Sequence, residues 1–238
     1  MAFVTGGGRG IGRAAALALA RAGADVAVSA RTAAEIDAVA AEVRGLGRRA
    51  LAVASDVTRE ADCRAAVERV VSELGRIDVL VNNAGGSSER APVVDSDPTR
   101  WAETIAVNLL SVYYCTRAAL PHLVRAGGGK IINVGSGMGH AATAGNAAYS
   151  TAKSGVWMFT QVLAQEVWSH GIDVNEVVPG PVLTRLTEGV FRTDAPPPFS
   201  PSERVKLPEE VAELILWLAT RPPGGPTGQS FSLARRPL

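Results

Sequence analysis

Aromatic residues make up only 5% of this 238-residue chain, and its formal charge is close to balanced at +1. The first leaves few rings for bases to stack on. The second offers no basic face to a phosphate backbone, so no nucleic-acid partner is expected. No apolar run reaches the ~18–20 residues that a membrane span needs. Met1 leads straight into a strand-like run rather than a leader, and a soluble, cytoplasmic protein with no membrane partner is expected. Cysteine is limited to Cys63 and Cys115, far apart in sequence and in no ligand spacing. They read as buried thiols of a reducing compartment. His122, His140 and His170 also fit no ligand spacing, so no metal is expected. Internal repeats and low-complexity linkers are absent, and residues 1–238 are expected to form a single domain.

What is abundant is apolar sequence, 47% of residues, in a regular alternation. Short β-type runs fall at Ala2–Thr5, Asp25–Ala30, Ala50–Ala54, Asp78–Asn82, Lys130–Gly135, Ile172–Val178 and Gln229–Leu233. Helix-type stretches fall at Ile11–Ala22, Ala33–Gly45, Glu60–Leu74, Trp101–Arg125, Tyr149–Ser169 and Glu209–Ala219. Apolar strands alternating with helices predict a parallel sheet covered on both faces. Right-handed crossovers then make it an α/β, Rossmann-like, doubly wound sheet of about seven strands. One stretch breaks the rhythm. Between Gly180 and Leu207 lie five prolines and little periodicity. Following a strand in such a fold, residues 181–207 read as a lid over the substrate.

Between the first strand and first helix runs Thr5-Gly-Gly-Gly-Arg-Gly-Ile-Gly12. Glycines there allow a tight turn whose amides approach a pyrophosphate at the helix N-terminus. Gly6, Gly8, Arg9, Gly10, Ile11 and Gly12 are therefore candidate cofactor contacts. The second strand ends Ser29-Ala30-Arg31, without the carboxylate that would hold a ribose 2′-hydroxyl. A guanidinium at Arg31, aided by Arg9, would pair with a 2′-phosphate, so NADP(H) is expected over NAD(H). Farther on, Ser136 precedes Tyr149 by thirteen residues and Tyr149 precedes Lys153 by four. On a helix, Tyr149 and Lys153 share one face, where a cation would lower the pKa of a phenol.

Taken together these residues resemble the short-chain dehydrogenase/reductase family over almost the whole chain. Asp56-Val57 after the third strand looks like that family's adenine-contacting pair, and Asn82-Asn83-Ala84-Gly85 matches its motif after the fourth strand. Asn108, Ser136, Tyr149 and Lys153 match its catalytic tetrad, and Pro179-Gly180 its turn after the sixth strand, with Val182 and Thr184 near the nicotinamide. The resemblance implies an oxidoreductase acting on a small carbonyl or alcohol. Tyr149 would be the acid–base, Ser136 the donor to the substrate oxygen, Lys153 the pKa tuner and a contact of the nicotinamide ribose. Asn108 would fix a water linking Lys153 to solvent. Related enzymes pair the helices equivalent to Trp101–Arg125 and Tyr149–Ser169, which implies a homo-oligomer, a tetramer before a dimer. The pattern is nearest to 3-oxoacyl-carrier-protein reductases. The arginine such enzymes carry before the sixth strand is His170 here, with Arg125 and Lys130 as possible substitutes. A catalytically silent NADP(H)-binding regulator is the alternative, which the intact tetrad disfavours.

Three features sit outside the pattern. The end of the chain, Ser230-Phe-Ser-Leu-Ala-Arg-Arg-Pro-Leu238, departs from the usual Asp-Gly-Gly and puts subunit contacts there in doubt. His140 either lines the substrate pocket or lies on a surface loop. Glu176 stands in the otherwise apolar strand Ile172–Val178 and is expected to be hydrogen-bonded or partly exposed, since an isolated buried carboxylate is too costly.

Overall fold

A computed structural model of the chain describes residues 1–87, 89–197, 202–235 and 238. Seven parallel strands form one sheet in the order β3-β2-β1-β4-β5-β6-β7. They are β1 (Ala2–Thr5), β2 (Val26–Ala30), β3 (Ala50–Ala54), β4 (Val79–Asn82), β5 (Gly129–Val134), β6 (Ile172–Val178) and β7 (Ser230–Ser232). The expected strands are all present, with ends displaced by a residue at four of them. Alternation along β1 sends Ala2 and Val4 to one face and Phe3 to the other. The first face is closed by α1 (Gly10–Arg21), α2 (Ala33–Gly45) and α7 (Pro208–Ala219), the second by α3 (Glu60–Leu74), α5 (Ser111–Arg125) and α6 (Ala147–Val167). Both faces of the strands are thus dry, which is why they read as unbroken apolar runs.

The strand order reverses at β1, and the loops leaving the carboxyl ends of β1 and β4 part on either side of it. Such a switch point leaves a crevice between diverging loops. Gly6, Arg31, Asp56, Asn83, Ser136 and Pro179 all follow strands and line that crevice.

The sequence predicts a single helix over Trp101–Arg125. The structure starts it earlier, as α4 (Pro98–Ile105), because the Asp97 carboxylate accepts from the backbone N–H groups of Thr99 at 2.7 Å and Arg100 at 3.1 Å. Asp before Pro is a strong helix start. A π turn over Ala106–Leu110 then joins α4 to α5. It admits one extra residue into the coil, and Asn108 sits in it, fully buried. Single π turns of this kind recur at functional sites.

A polar ladder crosses the second face. The Asn82 amide donates to the Thr116 hydroxyl and to the Asn133 carbonyl oxygen, both at 2.9 Å, and the Asn133 amide donates to Thr160 at 2.9 Å. It ties β4 and β5 to α5 and α6 in one register, since only one alignment satisfies these groups. Lys130, a possible carrier-binding cation in the sequence, is buried in β5. It forms an ion pair with Asp173 and donates to the Pro222 carbonyl at 3.0 Å. Arg125 lies 2.7 Å from the His122 ring. Lys130 is therefore not presented as a free cation for an acidic partner, whereas Arg125 is exposed.

Candidate active site

The crevice is a cleft of about 980 Å³. Its floor is the turn between β1 and α1. Gly6 and Gly10 have φ of +62° and +54°, where a side chain would be strained. A Cβ on Gly12 would stand 2.3 Å from the Gly6 carbonyl oxygen, so the turn can close only around glycine. Gly6, Gly8, Arg9, Gly10 and Ile11 line the cleft, whereas Gly12 lies behind them and serves the packing of the turn. Asn83 braces it from β4. Its amide donates to the carbonyls of Thr5 at 2.9 Å and Gly6 at 3.1 Å, while the Thr5 hydroxyl accepts from the N–H groups of Asn83 and Ala84. The Asn83 side chain thus acts on the turn. Ala84 and Gly85 add backbone to the wall.

At the outer end of the turn, Arg9 pairs with Glu35 at 3.2 Å, and Arg185 approaches the same carboxylate at 3.6 Å. Arg31 lies on the same wall with Asp56 and Val57. The Thr58 backbone N–H at 3.0 Å, then its hydroxyl at 2.8 Å, and more weakly the fields of Arg31 and Arg59, hold the Asp56 carboxyl below its usual range. Four guanidiniums therefore act on Glu35 and Asp56, Arg9 and Arg185 on the first and Arg31 and Arg59 on the second. Neither Glu35 nor Arg185 stood out in the sequence, because 150 residues separate them and only the meeting of α2 with the loop after β6 joins them.

At the inner end, Ser136, Tyr149, Lys153 and Asn108 converge. Ser136 leaves β5 and its hydroxyl accepts from the Met138 N–H at 3.2 Å in the 3-10 turn Gly137–Gly139. Tyr149 and Lys153 lie one turn apart on α6, and the ammonium stands 5.7 Å from the centre of the phenol ring. Burial raises the pKa of the Tyr149 phenol, where the sequence predicted a lowering by Lys153; the Ser136 hydroxyl beside it and the field of Arg90 oppose the rise. Arg90, from the loop after β4, also lines the cleft, and no motif in the sequence signalled it. Lys153 is 4% exposed and donates to the Val134 carbonyl at 2.7 Å. Burial lowers its pKa to about 8, with Glu176 acting in the opposite direction. Asn108 donates to the carbonyls of Thr104 at 2.8 Å and of Gly86, and accepts from the Gly86 N–H at 3.2 Å. Its side chain holds the loop after β4 against the π turn.

Pro179, Gly180, Val182 and Thr184 line the cleft after β6. The two ends of the segment 181–207 are sewn together, Leu183 N–H to the Lys206 carbonyl at 2.9 Å and Lys206 N–H to Pro181 at 3.0 Å. Leu186, Val190, Phe191 and Glu203 of this segment face the cleft, and residues 198–201 of it lie outside the described residues. The divergent chain end is here as well. Ala234 lines the cleft, and the Arg235 N–H donates to the Glu203 carboxylate at 3.1 Å.

His140 takes neither place expected for it. Its side chain is 7% exposed, lies outside the cleft lining, and brings Nε2 to 2.9 Å from Glu176 Oε2. Glu176 is fully buried and hydrogen-bonded, as a carboxylate in that strand requires.

The glycine cradle and the N-terminal amides of α1 fit the pyrophosphate of a dinucleotide. Among the described residues there is no group of three or more His, Cys, Asp or Glu that could hold a metal ion, and no helix long and apolar enough to cross a membrane.

Residues 1–195 match a protein-family model described as short chain dehydrogenase. The chain is 39% identical over 237 residues to a 3-oxoacyl-[acyl-carrier-protein] reductase from Synechocystis sp., covering 98% of this chain and 94% of that one. It is 40% identical over 224 residues to a cis-4-hydroxycyclohexanecarboxylate dehydrogenase from Sinomonas cyclohexanicum, covering 92% and 89%. The solved structure of an acetoin dehydrogenase from Salmonella typhimurium superposes with a TM-score of 0.88 at 32% identity, covering 98% of this chain and 93% of that one.

Proposed function

This chain belongs to the short-chain dehydrogenase family, whose members are oxidoreductases of alcohols and carbonyls, and we propose that it works with NADP(H) and with Tyr149 as general acid–base. The observation that carries this reading is the convergence of the Ser136 hydroxyl, the Tyr149 phenol and the Lys153 ammonium in one cleft with the glycine turn.

Each side chain has a task that follows from its chemistry. In reduction the Tyr149 phenol passes its proton to the substrate oxygen, and in oxidation the phenolate takes it back. Burial keeps the free phenol protonated, which suits reduction. Ser136 donates to the same oxygen and stabilises negative charge as it grows there. The Lys153 ammonium stabilises the phenolate that Tyr149 becomes. Asn108 keeps the loop after β4 in place beside them and would fix the water that links Lys153 to solvent. The nicotinamide cofactor, when bound, supplies or accepts the hydride. Its holders would be Gly6, Gly8, Arg9, Gly10, Ile11, Asp56, Val57, Ala84 and Gly85 along the cleft, with Lys153 at the ribose and Pro179, Gly180, Val182 and Thr184 at the ring end. Arg31 would face the 2′-phosphate, and Gly12 and Asn83 would preserve the turn.

Residues 1–238 act as one domain in this reading, and the segment 181–207 covers the substrate. Its apolar residues Leu186, Val190 and Phe191 favour a substrate with a hydrocarbon body. A homotetramer is supported by Tyr113 on α5 and Met158 and Val162 on α6, apolar side chains that stay exposed on helices already packed on the sheet. Sedimentation equilibrium tests it, and a monomer at micromolar concentration overturns it.

The test of function is NADPH oxidation with a panel holding a 3-oxoacyl thioester, a cyclic keto acid and a small diketone, the last two matched to the relatives' substrates. Turnover of at least one is expected. Tight NADPH binding with no turnover across a broad carbonyl and alcohol panel would favour the silent regulator. In the same assay Arg31→Ser should weaken NADPH by about 10- to 150-fold, the ~1.5–3 kcal/mol of a hydrogen bond to a charged group, and leave NADH nearly unchanged. Equal loss for both cofactors would sink the 2′-phosphate assignment.

A further inference from the structure

Glu176 has no part in the chemistry so far, yet it occupies a costly place. It is 0% exposed in the middle of β6. Its Oε2 accepts from His140 Nε2 at 2.9 Å and from the Ser230 hydroxyl on β7. Its Oε1 has no hydrogen-bond partner among the described residues. A half-satisfied buried carboxylate is worse for stability than an apolar residue of the same size. Fold stability therefore does not account for it.

Its location does. A Cβ built on Gly135 would stand 1.8 Å from Oε1, so this oxygen lies directly against the backbone between Val134 and Ser136. Val134 provides the carbonyl that holds the Lys153 ammonium, and Ser136 carries the hydroxyl that lines the cleft with Tyr149. Gly135 is glycine because any side chain would displace the carboxylate. The ionisable group in contact with Glu176 is His140, from the turn after β5; Lys153, from α6, feels its field from beside the Val134 carbonyl, to which the ammonium donates. From β7 Glu176 meets Ser230, and on β5 it is in register with Asn133. His140 is itself fixed by the Trp157 ring of α6, with centroids 5.0 Å apart.

We propose that Glu176 is the counter-charge of Lys153, held in place by His140 and Ser230, and keeps the buried ammonium charged for its work on Tyr149. Burial drives Lys153 towards its neutral form, and the negative charge of the Glu176 carboxylate, against the strand that anchors the ammonium, opposes this. The same carboxylate binds the residue that ends the Ser136 turn, so it positions the hydroxyl and the ammonium from one point. The inference rests on Lys153 and Tyr149 acting as proposed above.

Glu176→Gln in the full chain keeps the shape and removes the charge. In the cofactor-free protein, isotope-edited NMR of Lys153 should show its titration midpoint fall by about one pH unit. In carbonyl reduction the alkaline limb of kcat should move to lower pH by a similar amount, because the ammonium is present below its midpoint and lost above it. KM should change less than kcat, and Glu176→Asp should restore most of the wild-type profile. A folded Glu176→Gln protein with an unmoved Lys153 midpoint overturns the inference. If that variant does not fold, His140→Asn and Ser230→Ala each remove one bond to Oε2. Each should lower the Lys153 midpoint by a smaller step, and no change in either overturns the inference equally. A Tyr149→Phe protein that keeps full activity would instead refute the acid–base reading, so the two failures are distinct.

Discussion

Tyr149→Phe is expected to lower kcat by about 10²- to 10⁴-fold, the usual contribution of a positioned acid or base. The ring would keep its packing, since only the oxygen is removed, so thermal stability and NADPH affinity should change little. What is lost is the proton for the substrate oxygen. The loss should appear in kcat at every pH, because phenylalanine cannot be made to serve by titration. A steady-state assay against the best substrate of the panel, with a melting curve as control, measures both. Wild-type turnover with an unchanged melt would refute the assignment of Tyr149.

Gly12→Ala is expected to damage fold and cofactor site together. The added Cβ would meet the Gly6 carbonyl oxygen at 2.3 Å and the Asn83 amide nitrogen at 2.5 Å. The first is backbone and cannot swing aside. The second is committed to the Thr5 and Gly6 carbonyls. Relief requires α1 to move away from the turn, which opens the phosphate cradle. Overpacking of this kind costs ~1–3 kcal/mol or more. In a chain of this size that is a fall in Tm of a few degrees to about 10 °C. NADPH affinity should drop by more than tenfold, read by fluorescence titration. Gly45→Ala is the control. It ends α2, has φ in the ordinary range and no atom within 4 Å of the new Cβ. It should be neutral or slightly stabilising. If Gly12→Ala behaves like Gly45→Ala, the close packing of the turn is not what the glycine serves.

Much of the fold was legible because it depends on short-range pattern. Strand runs buried on both faces read as apolar blocks, and helices between them read by their periodicity. The break came at the Trp101–Arg125 helix, where Asp97-Pro98 moved the start and a π turn was inserted at Asn108. A one-residue insertion that keeps the helix running leaves no mark on hydrophobic spacing. The motif residues of the site were legible too, but not every task. The side chains of Asn83 and Asn108 also hold backbone, a task that their motifs did not signal.

Cys63 and Cys115 make the same point from outside the site. Fifty-two positions apart in sequence, they meet between α3 and α5, and Cys63 together with burial holds the Cys115 thiol well above its ordinary pKa. Nothing in their spacing foretold it.

What the sequence determined by itself is whatever local geometry enforces. A four-residue step puts Tyr149 and Lys153 on one face of α6, and a glycine run between strand and helix makes a cradle. The tertiary structure decided what those groups are surrounded by. Strand register brought Glu176 beneath Gly135, and the turn after β5 brought His140 to it across 36 positions. Charge in a buried site is set by neighbours in space, and those neighbours are chosen by strand order and helix packing, which no single stretch of the chain encodes.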